Sequence, residues 1–383
     1  MFDAADPSPQ YELGWPRELF MAEATALPEP SHPNWLEDAE LLLEEAFIFN
    51  TPKADLRTTQ WYEVPLGLLK DQSSASPQQV ARAFVAHLVD SADQLPECSE
   101  RRPYWSVRSV DEKASTSPDA NDRIQQLHRE WTQLVDDLQD RGYLDWVAPR
   151  GCAARPASSP AVEVLAAEIK QRLRADGLWP LRHQDWDNDT FYGLIEVVHD
   201  LVARPRHRDQ HALDGCNGHY SNFAQIPAQV LYRWEVDQLL DRYGVGLHLA
   251  GSGEGAGRLV CNLGGGLEGL VLSALGSRDP GVRDDVGHAV ALFRSRTATT
   301  AERRSAVVTL AGVLEQRKAL LKIELFAKDE AALFLIANKF GLRHRNRSQQ
   351  DDYDPVFLDW IFWWYLATVE LTNQLIARQT GTP

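Results

Sequence analysis

Apolar residues recur at three- and four-residue spacing along most of this chain, a pattern that predicts a mainly helical protein. Leu36, Leu42, Leu43, Ala46 and Phe47 form one such stripe, opened by Asn34 as a candidate cap. Ser76-Pro77 starts a second helix running to Val89, since serine caps well and proline suits the first helical position. A third begins near Ser117-Pro118 and places Ile124, Leu127, Trp131, Leu134 and Leu138 on one face, ending at Gly142. Ala161 to Ala175 continues the series. Asn188 or Asp189 then caps a helix with Leu194, Ile195, Val198 and Leu201 inside, and Gln229 to Tyr243 is helical again. His248 to Asn262 reads instead as two short strands around Gly251–Gly257, and no internal repeat stands out.

Helical spacing dominates the final hundred residues. Val282–Ser295 forms one helix, and Val307, Leu310, Leu314, Leu321 and Leu325 share a stripe on a second that runs from Thr300 to Phe326. Asp329 caps a shorter helix containing Leu333, Ile336, Ala337 and Phe340, which Gly341 ends. Asp354-Pro355 opens the last, through Ala377. Four helices with short connections predict an antiparallel bundle. The last is apolar almost all round, with Trp360 to Tyr365 in an unbroken run, so one face is left for another domain or a second copy of the chain.

The expected organisation is an N-terminal helical domain over 1–115, a central α+β domain over 116–270 and a C-terminal helical domain over 271–383. The polar, turn-rich stretch from Pro96 to Pro118 marks the first join. A chain of 383 residues is long enough for more than one core. Met1–Asp6 carries neither the basic nor the apolar region of a signal peptide, and the longest apolar run is too short to span a bilayer. Cys98, Cys152, Cys216 and Cys261 are scattered without C-x-x-C spacing, which fits a reducing cytoplasm better than a disulfide framework.

Charge changes the picture at one place. The chain carries a formal charge of −16, yet Arg283 to Arg347 holds 13 Lys/Arg against 7 Asp/Glu, which leaves −22 for the rest. Within it Lys339, Arg343, Arg345 and Arg347 crowd a helix junction together with His344 and Asn346. Clustered guanidiniums suit a phosphodiester: arginine grips phosphate in bidentate fashion, and histidine moves protons near neutral pH. The other reading is a structural network, with these cations solvated or paired to Glu330, Asp351 and Asp352.

Asp329-Glu330, Phe334–Asn338, Phe340–Asn346, Asp352–Pro355 and the aromatic last helix together carry a family likeness. Through them the C-terminal stretch, roughly 283–377, resembles the HEPN families of prokaryotic all-helical domains, particularly those of abortive-infection and other anti-phage proteins. The resemblance implies a four-helix bundle, RNA as partner, and metal-independent ribonuclease chemistry at a composite site between two copies. It places Arg343 and His344 at the catalytic Arg and the polar position, with Asn346 beside them and Lys339, Arg345 and Arg347 positioning the RNA backbone. The family's second histidine should fall at 348–350, where Ser348, Gln349 and Gln350 stand, and no histidine follows His344. Either His344 takes the acid–base part in an altered arrangement, or the domain binds RNA or a partner protein without cutting.

The central region offers less. Glu196 and His199 lie one helical turn apart, and Cys216-Asn-Gly-His219, brought near His199 and His211, would suit tetrahedral zinc with one sulfur and nitrogen ligands; His207 and Asp214 lie in the same stretch. No H-E-x-x-H occurs, and Asp214–Gly218 reads more simply as a tight turn, so no metal or other cofactor is assigned. Gly251–Gly257 lacks the Lys-Ser/Thr of a phosphate loop and reads as a hairpin loop. Arg233, Trp234 and the Arg204–Arg208 run resemble a block of uncharacterised actinobacterial proteins, a likeness that implies no activity.

Overall fold

The structure is a computed structural model that describes residues 9–29, 32–58, 77–98, 120–152, 157–182, 186–209, 218–253, 255–261, 265–295, 298–324, 333, 335 and 356–379. These residues are mainly helical, with two small two-stranded antiparallel sheets. They fall in two compact units, Met1–Gly244 and Val245–Pro383. The expected boundary at 115 lies outside the described residues, and the one at 270 falls within a helix, Gly265–Leu275.

The first unit contains α1 (Arg17–Thr25), α2 (Trp35–Ala46), α3 (Thr51–Thr58), α4 (Pro77–Asp90), α5 (Ala120–Asp140), α6 (Ala161–Leu173), α7 (Asn188–Leu201) and α8 (Gln225–Arg242). Between α7 and α8 lies a two-stranded sheet, β1 (Arg204–Asp209) with β2 (His219–Ala224), in which Arg204 faces Ala224 and Asp209 faces His219. The predicted helices over α2, α4, α5, α6, α7 and α8 are present. The first two sheet strands, α1 and α3 are additions: strand β1 is charged, and α1 and α3 sit in the proline-rich segment.

Two local details differ from expectation. Asp187, not Asn188 or Asp189, caps α7, its carboxylate accepting from the Thr190 amide at 2.7 Å. Asn34 precedes α2 but makes no capping bond with its side chain. Its amide nitrogen lies instead 3.3 Å from His207 Nε2 on β1.

Leucines 41–43 and Ala46 of α2, Phe20 of α1 and Leu56 of α3 are buried, as are Trp131 and Val135 of α5 and Tyr232 and Val236 of α8. Trp131 donates from Nε1 to the Tyr232 hydroxyl at 2.9 Å, and that hydroxyl donates to the Ile195 carbonyl at 3.1 Å. One buried polar chain therefore ties α5, α8 and α7 together, with each group satisfied.

The second unit opens with a hairpin, β3 (Leu247–Leu249) and β4 (Leu259–Cys261), closed by the expected glycine-rich loop. Gly253 and Gly257 take φ of 76° and 74°, which a side chain would strain. Then follow α9 (Gly265–Leu275), α10 (Pro280–Arg294), α11 (Thr300–Gln316), α12 (Lys318–Glu324) and α13 (Val356–Gln379). Asp279 caps α10 ahead of Pro280, and Thr299 with Glu302 forms a reciprocal capping box on α11. The predicted Thr300–Phe326 helix is interrupted at Arg317, which closes α11.

The four long helices pack in ring order: α9 against α10 and α13, and α11 against α10 and α13. Val286, Phe293, Val307, Leu310, Leu314, Ile361, Phe362 and Leu366 fill the middle, where Phe293 and Phe362 stack at 3.8 Å between centroids. No helix of the described residues is long and apolar enough to cross a membrane.

Candidate functional site

Lys339, Arg343, His344, Arg345, Asn346 and Arg347 all lie outside the described residues, in the connection between α12 and α13. Other cations of the second unit have partners within it. Arg294 reaches His248 Nε2 at 2.8 Å, and Arg303 pairs with Asp359 at 3.1 Å over the Phe293 ring. Arg317 donates to Thr372 Oγ1 at 2.6 Å and Asn373 Oδ1 at 2.8 Å, fastening the end of α11 to α13. These three arginines serve the packing of the helices.

On α13 the sequence left one apolar face without a place. Leu358, Ile361, Phe362, Tyr365, Leu366 and Val369 face the core, while Val356, Phe357 and Trp360 are exposed. Trp360 stacks on Trp364 with centroids 5.6 Å apart, which gives a broad, flat aromatic surface.

In the first unit, charge is gathered where no sequence signal pointed. Arg204 is only 3% exposed, and its Nη1 donates to Glu23 at 2.6 Å while Nε donates to Glu45 at 2.8 Å. Its guanidinium carbon sits 5.0 Å from the Trp15 ring centroid. Arg206 grips the same Glu23 through two nitrogens, at 2.7 and 3.1 Å. Arg208 and Lys53 converge on Glu44. Burial pushes Glu44 upward, but hydrogen bonds from Arg208 and Lys53 outweigh it and hold the carboxyl at about 2. His207 lies 2.7 Å from Asp38 and 3.5 Å from Asp209; burial opposes its charging, but the two carboxylates win and raise its pKa. Strand β1 is thus bolted to α1 and α2 by opposite charge, and Lys53 of α3 joins at Glu44. Arg204, Arg206, Arg208, His207 and Lys53 face Glu23, Glu44, Glu45, Asp38 and Asp209 in this cluster.

Behind this cluster lies a set of enclosed polar atoms. Arg204 Nη2, Glu45 Oε1, Tyr143 Oη, Trp15 Nε1 and Glu235 Oε2 find no hydrogen-bond partner among the described residues. Tyr143 is within electrostatic reach of Glu45, Arg204, Arg141 and Glu235, so these groups share one neighbourhood. Burial lifts Glu235 to about 7, with Arg141 pulling it down and Asp137 pushing it further up.

The histidines considered for zinc separate. His199 faces Asp200 through Nδ1 at 3.2 Å and receives Arg233 Nη1 on Nε2 at 3.0 Å, an arrangement for the neutral ring. His207 belongs to the ionic cluster, and His219 meets Cys152 at 3.2 Å. His211, Asp214 and Cys216 lie outside the described residues. Among the described residues no group of three His, Cys, Asp or Glu side chains is placed to hold a metal ion. A shallow groove of about 440 Å³ between the ends of α1 and α4 is lined by Leu27, Trp35, Val85 and Val89, with Arg82 beside Trp35.

Compared with protein-family models, curated proteins and solved structures, the chain matches none.

Proposed function

We propose that the protein is an RNA-directed effector of prokaryotic defence or stress, acting in the cytoplasm through a HEPN-like bundle in its C-terminal unit. The observation that carries this reading is the ring of α9, α10, α11 and α13 around one apolar core, with the basic segment 339–347 in the connection into α13. Arg343 holds the scissile phosphate, and His344 moves the proton, with Asn346 beside them. Lys339, Arg345 and Arg347 neutralise the flanking backbone. General acid–base catalysis contributes about 10²–10⁴-fold, so Arg343→Ala and His344→Ala should each slow cleavage of cellular RNA by at least about 100-fold. Cleavage at equal rates by all three proteins removes these residues from catalysis.

A second reading, non-catalytic RNA binding by the same surface, is favoured by the absence of any histidine after His344. The two share a prediction about salt. Four phosphate contacts on a single strand give a log–log slope near −2.8, so RNA affinity should fall about 50-fold between 50 and 200 mM salt. A filter-binding series checks this; affinity that ignores salt counts against both readings.

The exposed Val356, Phe357 and Trp360 surface on α13 is proposed to meet a second copy of the chain. Sedimentation of wild-type protein should show a dimer at micromolar concentration, and Trp360→Glu should shift it to monomer. A wild-type monomer across the whole range defeats this assignment.

A further inference from the structure

We propose that Cys152 is a nucleophilic cysteine, held against His219 as a thiol–imidazole pair, and that it is a site of oxidation by hydroperoxides. The sulfur and His219 Nε2 are 3.2 Å apart, a direct hydrogen bond between a potential nucleophile and a potential base. Both residues are partly exposed, so a small molecule can reach them.

The pair is positioned by neighbours on each side. Two residues before Cys152, Arg150 donates from Nε to both oxygens of Asp145, at 3.0 and 3.2 Å, and from Nη2 to the Asp140 carbonyl at 3.2 Å. Next to His219, the Tyr220 ring lies 5.7 Å beneath the same guanidinium. That ring also packs on Gly142, where φ is 84° and any Cβ would come within 2.3 Å of it. On the far side Gly218 turns the chain into β2 with φ of 96°, hard against the Asp209 carbonyl and the Arg208 stem. Cys152 and His219 thus come from separate segments that Arg150 and Tyr220 lock together. A chance contact between two surface side chains would have no such frame.

Charged groups near the pair among the described residues include Asp145, Arg150, Arg208 and Asp209. Asp145 is close enough to interact electrostatically with His219. Transfer of the thiol proton to the imidazole leaves the thiolate, the reactive form. The chemistry balances without a cofactor. The Cys152 proton moves to His219 Nε2, and sulfur attacks the terminal peroxide oxygen as the O–O bond breaks. The departing alkoxide or hydroxide takes the proton back and leaves as alcohol or water. Sulfur is oxidised to sulfenic acid, and the peroxide is reduced.

Site-resolved alkylation of the full chain with iodoacetamide tests the pair, because Cys98 is exposed and Cys261 partly buried in the same molecule. An ordinary thiol is only ~0.3% thiolate at pH 6. A thiolate shared with imidazole is far more populated though intrinsically less nucleophilic, for a net advantage of about tenfold. Cys152 should therefore react about tenfold faster than Cys98 at pH 6. His219→Gln should bring Cys152 down to the Cys98 rate or below while leaving Cys98 and Cys261 unchanged, which reports an intact fold. Hydrogen peroxide followed by dimedone should label Cys152 first. A Cys152 rate at or below that of Cys98 in the wild-type protein overturns the proposal, as does a rate that His219→Gln leaves alone.

Discussion

Arg204→Ala should destabilise the N-terminal unit by about 3–5 kcal/mol, the cost typical of breaking a buried ion pair from one side. Glu45 is the residue left exposed to the loss. Burial already holds its carboxyl above the ordinary range, and Arg204 is the main influence pulling it back. With Arg204 gone, Glu45 Oε2 loses its donor while Oε1 has no partner among the described residues. Its cheapest escape is to take up a proton, which from an ordinary carboxylate costs about 3 kcal/mol at pH 7. Loss of the guanidinium over Trp15 adds to that. Glu23 suffers less, because Arg206 still grips it.

The apolar pair Arg204→Met with Glu45→Leu should recover most of the loss, since the demand for charge at this place is mutual. Arg57→Ala, whose partner Glu40 is reached from a guanidinium 57% exposed, should cost less than about 1 kcal/mol. Urea titration followed by tryptophan fluorescence measures all three. An Arg204→Ala protein within about 1 kcal/mol of wild type would show that water already reaches this centre.

The same cluster explains what the sequence conceals. The C-terminal helices from Val282 and Thr300 were legible from their apolar stripes, and the structure adds caps at Asp279 and at Thr299 with Glu302. Most of α5 was legible for a similar reason, with Leu127, Trp131 and Leu138 buried as expected. Its neighbour Leu134 is only partly so, and Val135 takes the deeper place. Strand β1 was not legible, because Arg-Pro-Arg-His-Arg-Asp has no apolar alternation to read. Its arginines are held because α1 and α2, some 160–180 residues earlier, supply Glu23, Glu44 and Glu45 at matching positions. Hydrophobic periodicity carries no information about such a match. The period-two arginines 204, 206 and 208 were the one available sign, and their acidic partners could be named only from the fold. Cys152 and His219 likewise stand 67 residues apart, and the fold, with the Arg150–Tyr220 stack beside them, brings them together. The candidate RNA site was read from charge and family likeness alone, and its six residues stay outside the described residues.

Glu235→Gln should stabilise the N-terminal unit at pH 8 and leave it nearly unchanged below pH 4.5, a reversal of what removing a surface carboxylate does. The carboxyl of Glu235 titrates at about 7 in the folded chain against 4.5 as its ordinary value, and burial is the leading cause. The folded state therefore binds this proton more tightly than the unfolded state. Between pH 4.5 and 7 the native protein carries more proton than the unfolded chain, so stability falls as pH rises across that window. Above about pH 7 the full penalty is present and no longer changes. The interval corresponds to roughly 3 kcal/mol. Glutamine keeps the shape and cannot ionise, so its advantage should open across this window and hold above it. Arg141 sets the size of the effect, because its positive charge is what restrains the rise. In Arg141→Met the Glu235 carboxyl should titrate higher still, and the gain from glutamine at pH 8 should grow. Thermal unfolding of the four proteins at pH 4.5, 6, 7 and 8 gives the comparison. A glutamine advantage that is the same at every pH would mean Glu235 titrates as an ordinary solvated carboxylate, with water reaching Oε2 freely.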